Sequence, residues 1–244
     1  MDSPRYILTF VFSLTALVAL MLTGLRQVTM EKAQLNEEIF NKRAILSAVE
    51  TYLPDGKKVK DLSDDEVINI FKTKMQQYVV TPEGQPVEGV MAEDIDMAKE
   101  RKLPVPERKL PVFVYTEGDK TCYILEIRGN GLWDEIWGNI ALESDLNTIA
   151  GVAFDHKGET PGLGAEIKDN PAFPHQYIGK KLFDAQGNFV SVIAKKGGAE
   201  KGNEHQVDAI TGATLTSDGV TDMFKNGIKL YLPYLEEMKS KNQQ

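Results

Sequence analysis

From Tyr6 to Leu25 the chain reads YILTFVFSLTALVALMLTGL, twenty residues without a charge, bracketed by Arg5 and Arg26. At the helical rise of about 1.5 Å per residue, such a run matches the roughly 30 Å hydrocarbon core of a bilayer. A cleaved signal peptide has a shorter apolar stretch and a small-x-small cleavage site, and Arg26, Gln27 and Val28 offer none. The expectation is an uncleaved single transmembrane anchor over residues 1–26. Its orientation is not fixed by charge. Arg5 and the N-terminal amine oppose Arg26 and Lys32, so the positive-inside count is nearly balanced.

Beyond the anchor, Leu35, Ile39, Leu46, Val49 and Leu53 recur at three- and four-residue steps, an amphipathic helix that Pro54-Asp55-Gly56 ends. A second helix begins at the capping box Ser63-Asp64-Asp65-Glu66 and buries Val67, Ile70, Phe71 and Met75. Residues 81–111 are rich in Pro, Gly and charge and read as an extended connection. From Pro111 the period changes to two. Val112–Tyr115 and Cys122–Ile127, joined by Glu117-Gly118-Asp119-Lys120, predict a β-hairpin. Further strands are expected at 137–142, 148–156 and 189–194. A helical pattern returns after Thr216, with Val220, Met223, Phe224, Ile228 and Tyr231 on one face and Pro233 interrupting it. The expected fold class is α+β. The transmembrane helix is followed by a helical and extended connecting region over 27–110 and a mostly antiparallel-sheet domain over 111–244.

Several functions drop out on composition. With a net charge of -8 and no basic run longer than a lysine pair, the chain lacks the positive surface that nucleic acid requires. One cysteine, Cys122, makes neither an internal disulfide nor a four-ligand zinc site. The histidines His156, His175 and His205 show no metal-ligand spacing, so no metal site is expected. Redox chemistry in such a chain needs a bound organic cofactor.

Three segments stand out. In Asp208-Ala209-Ile210-Thr211-Gly212-Ala213-Thr214-Leu215-Thr216-Ser217, hydroxyl residues crowd the start of a helix and Gly212 permits close backbone approach. Unpaired N–H groups at a helix start favour a phosphate. Thr214, Thr216 and Ser217 acting only as helix caps is the commoner outcome of such spacing. Gly158-Glu159-Thr160-Pro161-Gly162-Leu163-Gly164 is by itself a turn. Gly131-Leu132-Trp133-Asp134-Glu135-Ile136-Trp137-Gly138 carries two tryptophans that a core would also use.

Together these segments resemble FMN-binding domains. Residues 208–217 resemble that family's flavinylation motif, in which the Thr after Gly-Ala bonds FMN through a phosphodiester; the matching residue is Thr214, preceded by Thr211, Gly212 and Ala213. The sequence departs from the short form of the motif at Leu215. The longer Gly-Ala-Thr-Leu-Thr-Ser is typical of the branch formed by the C subunits of Na⁺-translocating NADH:quinone reductases. Glu159, Thr160, Gly162, Leu163 and Gly164 resemble the loop that lines the isoalloxazine, and Trp133 the element placed against the flavin. The related flavoprotein of the Rnf complex usually carries Gly-Tyr-x-Gly at that place. Lys195-Lys196-Gly197-Gly198 resembles the family's Lys-Gly-Gly element, with Lys196 the candidate for contacting the phosphate or the pyrimidine edge.

The resemblance implies an electron-carrying flavoprotein component of a respiratory complex, without catalytic residues of its own. Its partners are the other subunits, the membrane, and a flavin transferase that draws FMN from FAD. The implied location is the bacterial cytoplasmic membrane with the soluble domain on the periplasmic side. No Gly-x-Gly-x-x-Gly fingerprint follows a strand, so NADH binds elsewhere. One apolar helix without an ionisable residue builds no Na⁺ pathway. Two alternatives stand beside this reading: the flavoprotein of the Rnf ferredoxin:NAD oxidoreductase, and a membrane-tethered adaptor with no flavin.

Overall fold

The structure, a computed structural model, describes residues 3–242. The N-terminal amine, counted above in the charge balance, and the first two residues of the expected anchor lie outside them. The chain forms two compact units, Met1–Lys42 and Arg43–Gln244.

The first unit is helical almost throughout its described residues, within helix α1 (Pro4–Ser47). Leu8, Phe12 and Leu20 are all at least 70% exposed, and mean hydropathy reaches 2.2. By length and composition this helix can cross a membrane. Its threonine hydroxyls are satisfied internally: Thr9, Thr15, Thr23 and Thr29 each donate to the carbonyl four residues back at 2.7–2.9 Å. That arrangement suits a medium without water. The anchor and the amphipathic pattern that follows are one continuous helix, because no Pro or Gly interrupts residues 25–47. The helix ends at Ser47, earlier than the Pro54-Asp55-Gly56 signal; Glu50–Tyr52 and Pro54–Gly56 are separate 3₁₀ turns.

In the second unit, α2 (Asp64–Lys74) opens with the expected reciprocal cap between Ser63 and Glu66. Five strands then form an antiparallel sheet in sequence order: β1 (Met75–Val80), β2 (Leu110–Glu117), β3 (Lys120–Asn130), β4 (Glu135–Leu142) and β5 (Ile149–His156). The β2–β3 hairpin turns at Gly118, whose φ of 57° suits glycine. The sequence pattern does not predict β1. Met75, the buried end of an apparent helical stripe, is instead its first residue, paired with Tyr115. Between β1 and β2 lies a single helical turn, α3 (Met97–Glu100), capped by Asp96, with 3₁₀ turns around it.

After β5 come two short helices, α4 (Glu166–Asp169) and α5 (Ala172–His175). The strand expected at 189–194 is reduced to β6 (Ile193–Lys195), which pairs in parallel with β7 (Gln206–Asp208). Ser191 adopts φ 65°, and the N–H groups of Val190 and Ser191 both donate to the Leu182 carbonyl, which bends the chain out of extended geometry. Helix α6 (Thr214–Lys229) begins at Thr214, ahead of the pattern read after Thr216, and α7 (Leu232–Asn242) follows the break expected from Pro233.

One face of the sheet packs against α6. Val112, Leu125, Ile127, Ile136, Ile140 and Phe154 join Val220, Met223, Phe224 and Ile228 in one buried cluster. Phe224 stacks on Tyr177 at 4.8 Å between ring centroids. On the opposite face Phe71 meets Phe113 edge-on at 6.1 Å. Helix and sheet approach through glycine. A Cβ on Gly219 would lie 2.2 Å from the Asn130 carbonyl oxygen, and one on Gly227 would lie 2.7 Å from Ile127 Cβ. We expect Gly219→Ala to destabilise the unit by about 1–3 kcal/mol through this clash, despite alanine's better helix propensity. Chemical denaturation checks it.

Candidate functional site

Three loops meet where α6 begins. The first is the β3–β4 turn, closed by a hydrogen bond from the Gly131 N–H to the Asp134 carbonyl at 2.8 Å. Glu135 N–H and the Lys157 ammonium hold the Asp134 carboxyl below the usual carboxylate range. The second is the segment after β5, where the Leu163 and Ala165 N–H groups donate back to the Thr160 carbonyl at 3.1 Å and Gly162 takes φ 74°. The third is the Ile210–Ala213 approach to α6, with Gly212 at φ 80°.

Glu159, only 5% exposed, binds the three together. Its Oε1 accepts the Trp133 backbone N–H at 2.9 Å, and its Oε2 accepts the Thr216 hydroxyl at 2.6 Å. Trp133 Nε1–H donates to Thr160 Oγ1 at 3.0 Å. A Cβ at Gly164 would lie 2.2 Å from Glu159 Oε2 and 2.6 Å from Thr216 Oγ1, so only glycine fits there. Leu163 Cδ2 would lie 3.0 Å from a Cβ on Gly212, which places this loop beside the residues preceding α6.

Thr216 and Ser217 do not cap α6. Ser217 Oγ accepts the Ile210 N–H and donates to the Ala213 carbonyl, both at 3.0 Å, fixing the approach to the helix. Ala213, at the N-cap position, gives no side-chain cap. Thr214 is the first helical residue, half-buried, and its hydroxyl makes no hydrogen bond among the described residues. On the same three segments and the first turn of α6, Leu132, Leu163 and Leu215 are exposed and Trp133 is 68% exposed. A cavity of about 360 Å³ opens alongside, lined in part by Gly162, Glu166, Asn170, Gln176, Asp208 and Thr211.

Most of the residues singled out in the sequence thus lie on these three segments. Thr160 and Thr211 are exposed there, and Ala213 is buried. Lys196 is exposed on the turn after β6, which Asp208 ties down through the Ala199 N–H at 2.7 Å, outside the three segments. Thr216 enters the site as Glu159's partner, which its cap-like position in the sequence hides. Glu166, Asn170 and Gln176 are cavity walls with no sequence signal, being isolated polar residues outside any motif. A second cavity of about 300 Å³, lined by Arg101, Glu126, Arg128, Asp222 and Asn226 among others, holds none of the motif residues.

Residues 131–229 match the FMN-binding domain family. The C subunit of the Na⁺-translocating NADH-quinone reductase of Vibrio campbellii is 32% identical over 241 residues, covering 91% of this chain and 90% of that one. The chain belongs to the NqrC family. The Neisseria meningitidis NqrC is 47% identical over 122 residues, and there the chain spans less than half of the relative, 45% of its length. Among solved structures, the NqrC of Parabacteroides distasonis superposes with a TM-score of 0.72 at 34% identity, covering 83% of this chain and 94% of that one. The NqrC of Shewanella oneidensis gives 0.68 at 27% identity, with 82% and 99% covered.

The fully buried Ser217 leaves a direct check on the local build. Ser217→Ala deprives the Ile210 N–H of its acceptor, and we expect a loss of about 1–3 kcal/mol in denaturant unfolding with faster amide exchange at Ile210.

Proposed function

We propose that Thr214 carries FMN, joined through its phosphate to the threonine oxygen, in the electron-transfer C subunit of a Na⁺-translocating NADH:quinone reductase. On this reading electrons from NADH arrive by way of another subunit and leave toward quinone. The observation that carries it is the Thr214 hydroxyl, without a hydrogen bond among the described residues, at an uncapped helix start that shares its loops with exposed leucines and an exposed tryptophan. The residues fit the group. First-turn N–H groups and the positive end of the α6 dipole suit a phosphate. Gly212 at positive φ leaves the approach open. Trp133, Leu163 and Leu215 offer an apolar surface to a flat heteroaromatic ring. Gly162 and Thr211 line the adjoining cavity, Thr160, Gly164, Gly212 and Ala213 lie on the same segments, and Lys196, on its exposed turn, is the candidate for contacting the phosphate or the pyrimidine edge.

When bound, FMN supplies reversible uptake and release of one or two electrons. The chain's own part is to hold and orient the group. Thr214 is an attachment point and not a catalytic base. A flavin transferase using FAD would form the Thr214 Oγ–phosphorus bond and break the FAD pyrophosphate, releasing AMP while the hydroxyl proton leaves to the transferase. We place the anchor over residues 1–26, a connecting region over 27–110 that lends β1 to the sheet, and the flavin domain over 111–244. The soluble part faces the periplasm, single-pass from the cytoplasmic membrane.

Co-expression with a flavin transferase should add the mass of FMN less one water, with fluorescence confined to the peptide spanning residues 208–217. Thr214→Ala should abolish both. An unchanged wild-type mass, or an added mass that survives Thr214→Ala, would falsify the assignment. Leu163→Asp places an uncompensated negative charge against the ring surface. Attachment should persist while the flavin absorbance shifts and its midpoint potential falls, as spectroelectrochemistry reads.

A further inference from the structure

Glu159 differs from the residues around it. They are exposed or small, whereas Glu159 is a buried carboxylate that meets no lysine or arginine among the described residues. Both of its oxygens act as acceptors, one from the Trp133 N–H and the other from the Thr216 hydroxyl. Its own N–H donates to His156 Nδ1 at 3.2 Å, which fixes the loop from behind. Gly131 and Gly164 pack so closely that a Cβ on either would lie 2.4 Å or 2.2 Å from a carboxylate oxygen. The carboxylate is therefore clamped from four directions and has no room to turn toward a ligand.

We propose that Glu159 is a positioning residue, a joint that sets the Trp133 turn against the first turn of α6, and not a contact for the flavin. The proposal rests on the reading of Thr214 as the attachment point. Trp133 and Thr214 lie on different elements, and the chain between them runs through the whole of β4 and β5. Glu159 bridges that separation, with a hydrogen bond to the backbone of one and to the third residue of the other's helix. Its negative charge is offset by two donors and the N-terminal end of the α6 dipole. The same charge fixes the electrostatic background against which an electron is added nearby.

The test uses the full chain in detergent, with and without flavin. In the flavin-free protein, Thr216→Val leaves one oxygen unpaired, and amide exchange at Trp133, on the far side of the joint, should accelerate about tenfold or more. Thr216→Ser, which keeps the hydroxyl, should restore the wild-type rate. Glu159→Gln is isosteric: its oxygen can serve the Trp133 N–H while its amide donates to Thr216 Oγ1. In the flavin-loaded protein that variant should retain the bound mass, yet its midpoint potential should rise because a fixed negative charge is gone. A role confined to folding would leave the potential where it is.

Wild-type exchange at Trp133 in Thr216→Val, or an unmoved potential in Glu159→Gln, overturns the proposal. Loss of bound mass in Glu159→Gln while the Ser217 amide, bonded to the Ala213 carbonyl at the start of α6, keeps its wild-type exchange rate also overturns it, since Glu159 would then be needed for attachment itself. The exchange measurement needs no flavin. A failure of the attachment reading, seen as no mass gain in the wild type, is thereby told apart from a failure of the joint.

Discussion

Helix α6 lies so close on β3 that glycine is required on both sides of the contact, and everything at the candidate site inherits its position from that approach. Gly219 faces the Asn130 carbonyl, Gly129 faces Met223, and Gly227 faces Ile127. Below this seam the Tyr231 hydroxyl lies within hydrogen-bond reach of the Pro111 and Glu126 carbonyls, at 3.2 and 2.8 Å. A buried phenol satisfied by two strands locks the helix in axial register. Burial raises its pKa well above the ordinary tyrosine value, so it stays a neutral donor. The N-terminal end of α6 is then fixed beside the β3–β4 turn, and only small adjustments are left to the loops.

Polar groups are handled in two ways along the chain. In α1 the threonines return their hydroxyls to their own helix, and the apolar side chains remain uncovered. That is stable where the surroundings are hydrocarbon and costly where they are water. In the second unit a buried polar group such as Glu159 finds its partners on other elements, and the closest approaches are made by glycine. Apolar surface is also left exposed there, on the three segments around Thr214. An uncovered tryptophan and leucines beside an uncapped helix start are unfavourable as bare protein surface, and a flat ring with a phosphate at one end complements both defects.

Much of the fold is legible in the sequence because it rests on local pattern. The hairpin at Gly118, the Ser63–Glu66 cap and the break at Pro233 depend on residues within a few positions of one another. β1 is not legible, since its Gln76 and Gln77 dilute the alternation and its place is set by pairing with β2, a strand that begins only at Leu110. The expected strand at 189–194 fails for a related reason. Its composition favours extension, but the Leu182 carbonyl captures two successive N–H groups and bends it. At the site, the glycine and threonine motifs stand out in the sequence, while the cavity walls at Glu166, Asn170 and Gln176 do not.

The sequence alone determined that one apolar helix precedes an antiparallel sheet, and that Thr214 stands at a helix start after a flexible glycine. Those properties follow from hydrophobic period and from the dihedral freedom of single residues. Only the tertiary structure decided that Thr216 donates to Glu159 in place of capping its helix, that Glu159 reaches Trp133 as well, and that the Thr214 hydroxyl makes no hydrogen bond among the described residues. The reason is distance along the chain: these partners are 26 and 57 residues apart, and a hydrogen bond at that separation exists only once the sheet and α6 have packed.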